Sequence, residues 1–274
     1  MTEVTKVSVI MATGGSRLDC LRRTLESWSK ITYPVQFILV STDVGNNKLR
    51  DLALSFKFIS KFVEPRNVVG KDWARVSNIW TREGKESSGD YVIFAMADEI
   101  LSDYDIIQKF LACPTPNRSS VRTYFLNSSH ASKLDGMDWL SNPKEIENLP
   151  EFWTHKEVQG AEENNDNLLR KLKQKVYLLS HITGAPRAHW EYMNWFRTDE
   201  YGYFWLDRDV HFREITLGFE CKEVVEVCCY HQWHPLLLIS KVDREYGGYI
   251  YENEAQARLL EPARRENDEN ESAI

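Results

Sequence analysis

Short apolar runs alternate with mixed apolar and polar stretches in the N-terminal part of the chain. Several runs are apolar and partly β-branched, which predicts buried strands: 6–13 ("KVSVIMAT"), 35–42 ("VQFILVST"), 57–64 and 90–97 ("DYVIFAMA"). The stretches between them predict helices, at 18–29, 48–56 and 73–86. Strands that are apolar on both faces and alternate with helices predict an α/β fold with a mostly parallel central sheet flanked by helices.

After Pro114 the pattern becomes less regular. Residues 120–127 predict a further strand, and Asn167–Lys175 predicts a helix. Aromatic side chains crowd residues 190–205, where ordinary core packing and a site that stacks on flat ligand faces are both open interpretations. Residues 240–274 are mostly charged or polar and predict a solvated tail.

Composition narrows the class of function. Hydrophobic residues make up 42% of the 274 residues, which is enough for a sizeable core. Acidic residues outnumber basic ones by 41 to 34, and the formal charge of -7 argues against a protein built to hold nucleic acid or an anionic membrane. We find neither a leader pattern nor a run of roughly 18 apolar residues, so we expect a cytoplasmic protein without a transmembrane segment. The five cysteines lack C-x-x-C spacing and predict buried, reduced thiols.

Two adjacent acids, Asp98 and Glu99, follow the run 90–97 directly. Ligands of such sheets bind at the carboxyl ends of the strands, so these acids are candidate ligands of a hard divalent ion such as Mg²⁺ or Mn²⁺. The alternative interpretation is that they cap the turn that follows, "LSDYD". Two histidines, His231 and His234, are further candidate ligands, although single histidines are more often structural.

A third candidate is Asp207 in "LDRDVHFR", which follows the aromatic run. A carboxylate against apolar walls is desolvated and more basic than usual, as a general base must be. Asp209 and Arg213 in the same stretch have the spacing of a surface ion pair.

Taken in order, these segments resemble the inverting nucleotide-sugar glycosyltransferases of the GT-A fold, in the family that shares a "VSVI" first strand. "KVSVIMAT" is similar to the strand whose last residue, here Thr13, meets the nucleotide base. "ILVSTDVGNN" resembles the segment whose acid, here Asp43, reaches the base or ribose. "GDYVIFAMADEI" is similar to the strand before the D-x-D metal motif, and "LDRDVHFREITLGF" resembles the element whose first Asp, here Asp207, is the catalytic base.

The resemblance implies further roles and shows departures. Lys71 and Arg75 are candidates for the donor diphosphate, and Trp190 and Trp205 for the acceptor. Met96 stands where the family has the first acid of its metal motif, and Leu206 where an acid precedes the base. The implied metal ligands are therefore Asp98 with Glu99, His231 or His234.

The resemblance implies an enzyme that moves a sugar from a nucleotide-diphosphate donor, with UDP as the favoured nucleotide, to a glycan or other hydroxyl acceptor. It divides the chain into a donor half at 1–125, an acceptor and catalytic half at 126–239, and the tail at 240–274. A catalytically silent relative that binds nucleotide or glycan is the main alternative, because of Met96. A nucleotidyltransferase or a dehydrogenase fits less well, since the sequence lacks their glycine-rich loops.

Overall fold

The structure is a computed structural model, which describes residues 5–43, 45–64, 76–113, 115–150, 152, 181–196, 210, 213–214 and 217–233. The helix predicted at Asn167–Lys175 and the tail at 240–274 lie outside these residues. In chain order the elements are β1 (Val7–Thr13), a 3-10 turn (Gly15–Arg17), α1 (Leu18–Trp28), β2 (Val35–Ser41), α2 (Asn47–Ser55), β3 (Ile59–Val63), α3 (Val76–Glu86), β4 (Tyr91–Met96), β5 (Glu99–Leu101), α4 (Ile106–Ala112), β6 (Ser119–Phe125), α5 (Ser128–Leu134), a second 3-10 turn (Pro143–Asn148), β7 (Ile182–Pro186), α6 (Arg187–Tyr192) and β8 (Lys222–His231).

One eight-stranded sheet forms the centre of the fold, in the order β3-β2-β1-β4-β7-β6-β8-β5. Its first four strands in this order are parallel to one another, and β6 pairs in parallel with β8. Strand β7 is antiparallel to both β4 and β6, and β5 is antiparallel to β8. The predicted α/β class with a largely parallel central sheet is therefore confirmed, with antiparallel insertions that the sequence pattern did not predict.

Side chains alternate between the two faces of the sheet along each strand, and both faces are buried. In β1, Val9 and Met11 join the core that includes Trp28 of α1, whereas Ile10 joins the core that includes Trp80 of α3. A helix on each face thus explains why the strands read as continuous apolar runs.

The strand directions bring several chain segments to one edge of the sheet. The parallel strands β1, β2 and β4 end there with their carboxyl ends. Because β7 is antiparallel to β4, it begins at the same edge, directly after His181. His231 at the end of β8 pairs with Phe125 of β6 and with Glu99 of β5. Residues from distant parts of the sequence therefore lie at the same edge of the sheet.

A charge network is buried at the start of β6. The Arg118 guanidinium binds the Glu214 carboxylate, with Nη2 2.8 Å from Oε2, and both side chains are almost completely buried. Nε2 of His189 lies 3.0 Å from Oε1 of the same carboxylate. The Arg118 guanidinium lowers the pKa of Glu214 to about 2 against the opposing effect of burial. The network therefore joins three chain segments, those that contain Arg118, His189 and Glu214.

All five cysteines are free; Cys20 and Cys229 are buried, and the other three are partly buried. Within the described ranges we find no helix that combines the length and the apolarity needed to cross a membrane.

Candidate functional site

Asp98 lies at the carboxyl edge of the sheet, in the short turn between β4 and β5. Its backbone carbonyl accepts the N–H of Gln232 at 2.8 Å, which ties the turn to the residue after β8. Its side chain is mostly buried, and Oδ2 lies 3.0 Å from Nη1 of Arg17 and 3.6 Å from Nε2 of His231. The structure thus brings two of the predicted ligands, Asp98 and His231, together.

Glu99 occupies a different environment from Asp98. It begins strand β5, so the alternative interpretation of a helix-type cap for the next turn is wrong. Its side chain is fully buried, and Oε1 lies 2.5 Å from Nδ1 of His181. Burial raises the pKa of the Glu99 carboxyl, and His181 opposes that rise. Because the Glu99 carboxylate is buried and paired with His181, the structure does not support the prediction that Glu99 binds the same metal ion as Asp98.

His181 and His231 form a small ring cluster around Phe125. The centroids of the two imidazoles are 5.4 Å apart, and the Phe125 ring lies 5.4 Å from His181 and 4.8 Å from His231. Two carboxylate–histidine pairs, Asp98 with His231 and Glu99 with His181, are therefore neighbours at the sheet edge. Among the described residues, no group of three or more His, Cys, Asp or Glu side chains has the arrangement of a metal site.

The other predicted nucleotide contacts meet where β1 and β2 end. The Thr13 carbonyl accepts the N–H of Thr42 at 2.7 Å. The Asp43 carboxylate accepts the N–H of Gly15 at 2.6 Å and a weaker bond from Asn46 at 3.3 Å. The structure therefore brings Thr13 and Asp43 to one corner, which is built from the loops after β1 and β2.

This corner requires a glycine at position 15. A Cβ atom there would lie 1.8 Å from Nδ2 of Asn46, whose Oδ1 accepts the Leu49 N–H and caps α2, and 2.8 Å from Oδ2 of Asp43. We expect Gly15→Ala to lower the free energy of unfolding by about 1–3 kcal/mol, as overpacking does elsewhere. Chemical denaturation measures this, with Gly136→Ala as control because its nearest neighbour would lie 3.7 Å away. Equal stability of both variants would contradict the packing argument.

Arg17 is a site residue that sequence reasoning missed. It ends the 3-10 turn Gly15–Arg17, so the same turn contacts Asp43 through its first residue and Asp98 through its last. A basic residue soon after the first strand was the only available signal. His181 was missed as well, because it lies just before a strand whose antiparallel direction the pattern did not indicate.

Of the remaining predicted site residues, Trp190 is the one that the structure describes. Trp190 is fully buried, and its indole N–H donates to the Val92 carbonyl at 3.1 Å. It packs as a core side chain, which does not support its predicted contact with an acceptor. Trp233, two residues after His231, is instead 41% exposed. The others lie outside the described residues: Lys71, Arg75, Trp205, Asp207 and His234.

Neither the models of known protein families nor the curated proteins give a match to this sequence. Solved structures do match. The mannosyltransferase PcManGT from Pyrobaculum calidifontis, in complex with GDP-Man and Mn²⁺, matches with a TM-score of 0.54 and 15% identity, over 96% of this chain and 65% of that chain. TarS from S. aureus in complex with UDP-GlcNAc matches with a TM-score of 0.54 and 12% identity, over 85% of this chain and 60% of that chain. TarS in complex with UDP matches with a TM-score of 0.55 and 12% identity, over 88% of this chain and 63% of that chain.

At these identities the likeness establishes the fold. The chain has the fold of nucleotide-sugar glycosyltransferases, which confirms the GT-A fold expected from the sequence resemblance. It spans less than two thirds of the length of each of these solved chains.

Proposed function

We propose that the protein is an inverting glycosyltransferase that moves a sugar from a nucleotide-diphosphate donor to an acceptor hydroxyl. The observation that carries the proposal is the position of Asp98 beside the Thr13–Asp43 corner, at the carboxyl edge of a sheet shared with enzymes solved with bound nucleotide sugars. In this proposal Thr13 and Asp43 bind the base and ribose of the donor. UDP is the proposed nucleotide of the donor. GDP is the alternative, because the matching structures were solved with GDP-Man and with UDP.

We include a divalent ion, Mn²⁺ or Mg²⁺, in the proposal, because two donors of suitable chemistry converge. The Asp98 carboxylate and His231 imidazole lie 3.6 Å apart, and hard ions in phosphate sites commonly take only one or two carboxylates from the protein. When bound, such an ion neutralises charge on the leaving diphosphate. Asp98 and His231 would hold it, with His234 as a further candidate. Lys71 and Arg75 stay candidates for the diphosphate.

Asp207 is the proposed general base, which takes the proton of the acceptor hydroxyl as that oxygen attacks the anomeric carbon. A single displacement on the face opposite to the leaving group inverts the centre and needs no protein nucleophile. Near Asp207 in the sequence, Val210 belongs to the core cluster that includes Phe94, and Glu214 is bound by Arg118.

The acceptor is proposed to bind on the side of the 126–239 half. Trp205 remains a candidate there, and Trp233 takes the place of the buried Trp190, since an exposed indole offers a ring face to a sugar. We keep the division at residue 125 as a proposed functional division within one domain, because both halves contribute strands to one sheet.

The second candidate is a silent relative that binds a nucleotide or a glycan without transfer. Met96 in place of the first acid favours it, as does the burial of Glu99, because among the described residues Asp98 is then the one acid proposed to hold the metal ion. Turnover of a donor by the purified protein separates the two candidates.

The first test is calorimetric titration of the protein with UDP and with GDP, each with and without Mn²⁺. We expect UDP to bind more tightly with the metal, and we expect Asp98→Asn to remove the metal-dependent part of the affinity. Asp105→Asn is the matched control, because Asp105 is an exposed acid of the next loop. Affinities that are the same with and without Mn²⁺ would remove the ion from the proposal, and no binding of either nucleotide would contradict the donor site.

A further inference from the structure

Arg17 lies between the two acidic positions of the candidate site. Its Nη1 is 3.0 Å from Oδ2 of Asp98, and its side chain is 24% exposed. The turn that carries it is fixed at the other end, where the Gly15 N–H donates to Asp43 at 2.6 Å. One 3-10 turn therefore joins the proposed ribose-binding acid to the proposed metal-binding acid.

Arg17 and a divalent ion compete for the same oxygen. Oδ2 of Asp98 is the atom nearest to both Arg17 and His231, so an ion held by Asp98 and His231 would bind where the guanidinium already compensates the carboxylate charge. Two cations on one carboxylate oxygen repel each other. In the present arrangement Arg17 therefore weakens the binding of a metal ion to the nucleotide-free protein.

A nucleoside diphosphate changes this balance. It brings several negative charges to the edge where Arg17 lies, and a guanidinium binds phosphate oxygens in pairs through its planar donors. The Arg17 side chain is 24% exposed, so part of it already faces solvent. Because the Gly15 N–H of the same turn donates to Asp43, the turn that carries Arg17 lies at the corner where the nucleotide is proposed to bind.

We propose that Arg17 moves from Asp98 to the donor diphosphate when the nucleotide sugar binds, and that this exchange leaves the Asp98 carboxylate available to the divalent ion. The inference rests on the proposed function and adds to it a diphosphate-binding residue and an order of events. Through one side chain, the diphosphate and the metal each favour binding of the other.

The first experiment measures Mn²⁺ binding to the nucleotide-free protein by the EPR signal of free Mn²⁺. Arg17→Met removes the competing charge, and we expect it to tighten Mn²⁺ binding by about three- to tenfold, the range for a partly screened ion pair. Arg17→Lys retains the charge and is expected to stay close to the unaltered protein. Arg22→Met is the matched control, because Arg22 pairs with Glu26 on the same helix at 2.8 Å.

The second experiment measures UDP and uridine binding in EDTA. Arg17→Met is expected to weaken UDP binding by roughly tenfold, the effect of losing a hydrogen-bonded charge partner, and to leave uridine binding unchanged. The expected result is thus an opposite change for Mn²⁺ and for UDP in one variant. A purely structural role for Arg17 would weaken both ligands and lower the melting temperature.

Three outcomes overturn the exchange. Unchanged or weaker Mn²⁺ binding by Arg17→Met excludes the competition, and unchanged UDP binding excludes the diphosphate contact. Either result, with UDP or GDP binding intact in the unaltered protein, leaves the proposed function standing. Absence of binding of both nucleotides to the unaltered protein, with and without Mn²⁺, overturns the proposed function and the exchange together.

Discussion

Replacing Asp207 with Asn is expected to lower the rate of sugar transfer by about 10²- to 10⁴-fold, the contribution that a general base makes to such a step. Asn keeps the size of the side chain and removes the basic oxygen, so the affinity for the nucleotide is expected to change by less than threefold. Steady-state rates with a radiolabelled donor, combined with calorimetric affinity, measure both quantities. Asp51→Asn on the exposed face of α2 is the control.

The pattern of loss identifies what Asp207 does. A variant that loses transfer and nucleotide binding together would make Asp207 a donor-site residue, and a variant that keeps its rate would mean that another group removes the proton. Asp207→Glu adds a sharper comparison, because it keeps a carboxylate and changes its reach. Partial activity in this variant, with none in Asp207→Asn, is the result expected of a base that must reach a fixed acceptor oxygen.

The position of Asp98 was predictable because it depends on local pattern. A run of apolar residues from Tyr91 to Met96 defines a buried strand, and the edge rule for parallel sheets places the next residues at the ligand side. The Thr13–Asp43 corner follows for the same reason, since each residue comes at or after the end of a parallel strand. The position of a residue can therefore be predicted from the sequence where it depends only on the strand that the residue ends or follows.

The environment of Glu99 was not predictable, because it depends on a partner from far along the chain. The chain re-enters the sheet at Glu99 to pair with β8, and no local signal distinguishes that strand from a turn. His181 reaches the site only because β7 runs antiparallel to β4, against the direction that the alternating pattern indicated. Arg17 likewise becomes a site residue only through its contact with Asp98.

The largest stability effect is expected at the Arg118–Glu214 pair. Glu214→Gln leaves the Arg118 guanidinium buried without its counter-charge, so we expect the free energy of unfolding to fall by about 3–5 kcal/mol. The Arg122–Glu223 pair offers a matched control, because it joins an arginine of β6 to a glutamate of β8 with the arginine side chain 55% exposed. Glu223→Gln is expected to cost about 0–1 kcal/mol. Urea denaturation of both variants makes the comparison.

The pH dependence tests the cause of that loss. The Arg118 guanidinium lowers the pKa of Glu214 to about 2 in the folded protein, below the 4.5 of an unfolded chain, so the contribution of Glu214 to stability is complete above pH 4.5 and is lost as pH falls towards 2. Glu214→Gln should therefore be much less stable than the unaltered protein at pH 7, and the difference should shrink with acidification through this window. A difference that stays constant from pH 6 to pH 3 would show that packing, and not the charge of Glu214, stabilises this junction.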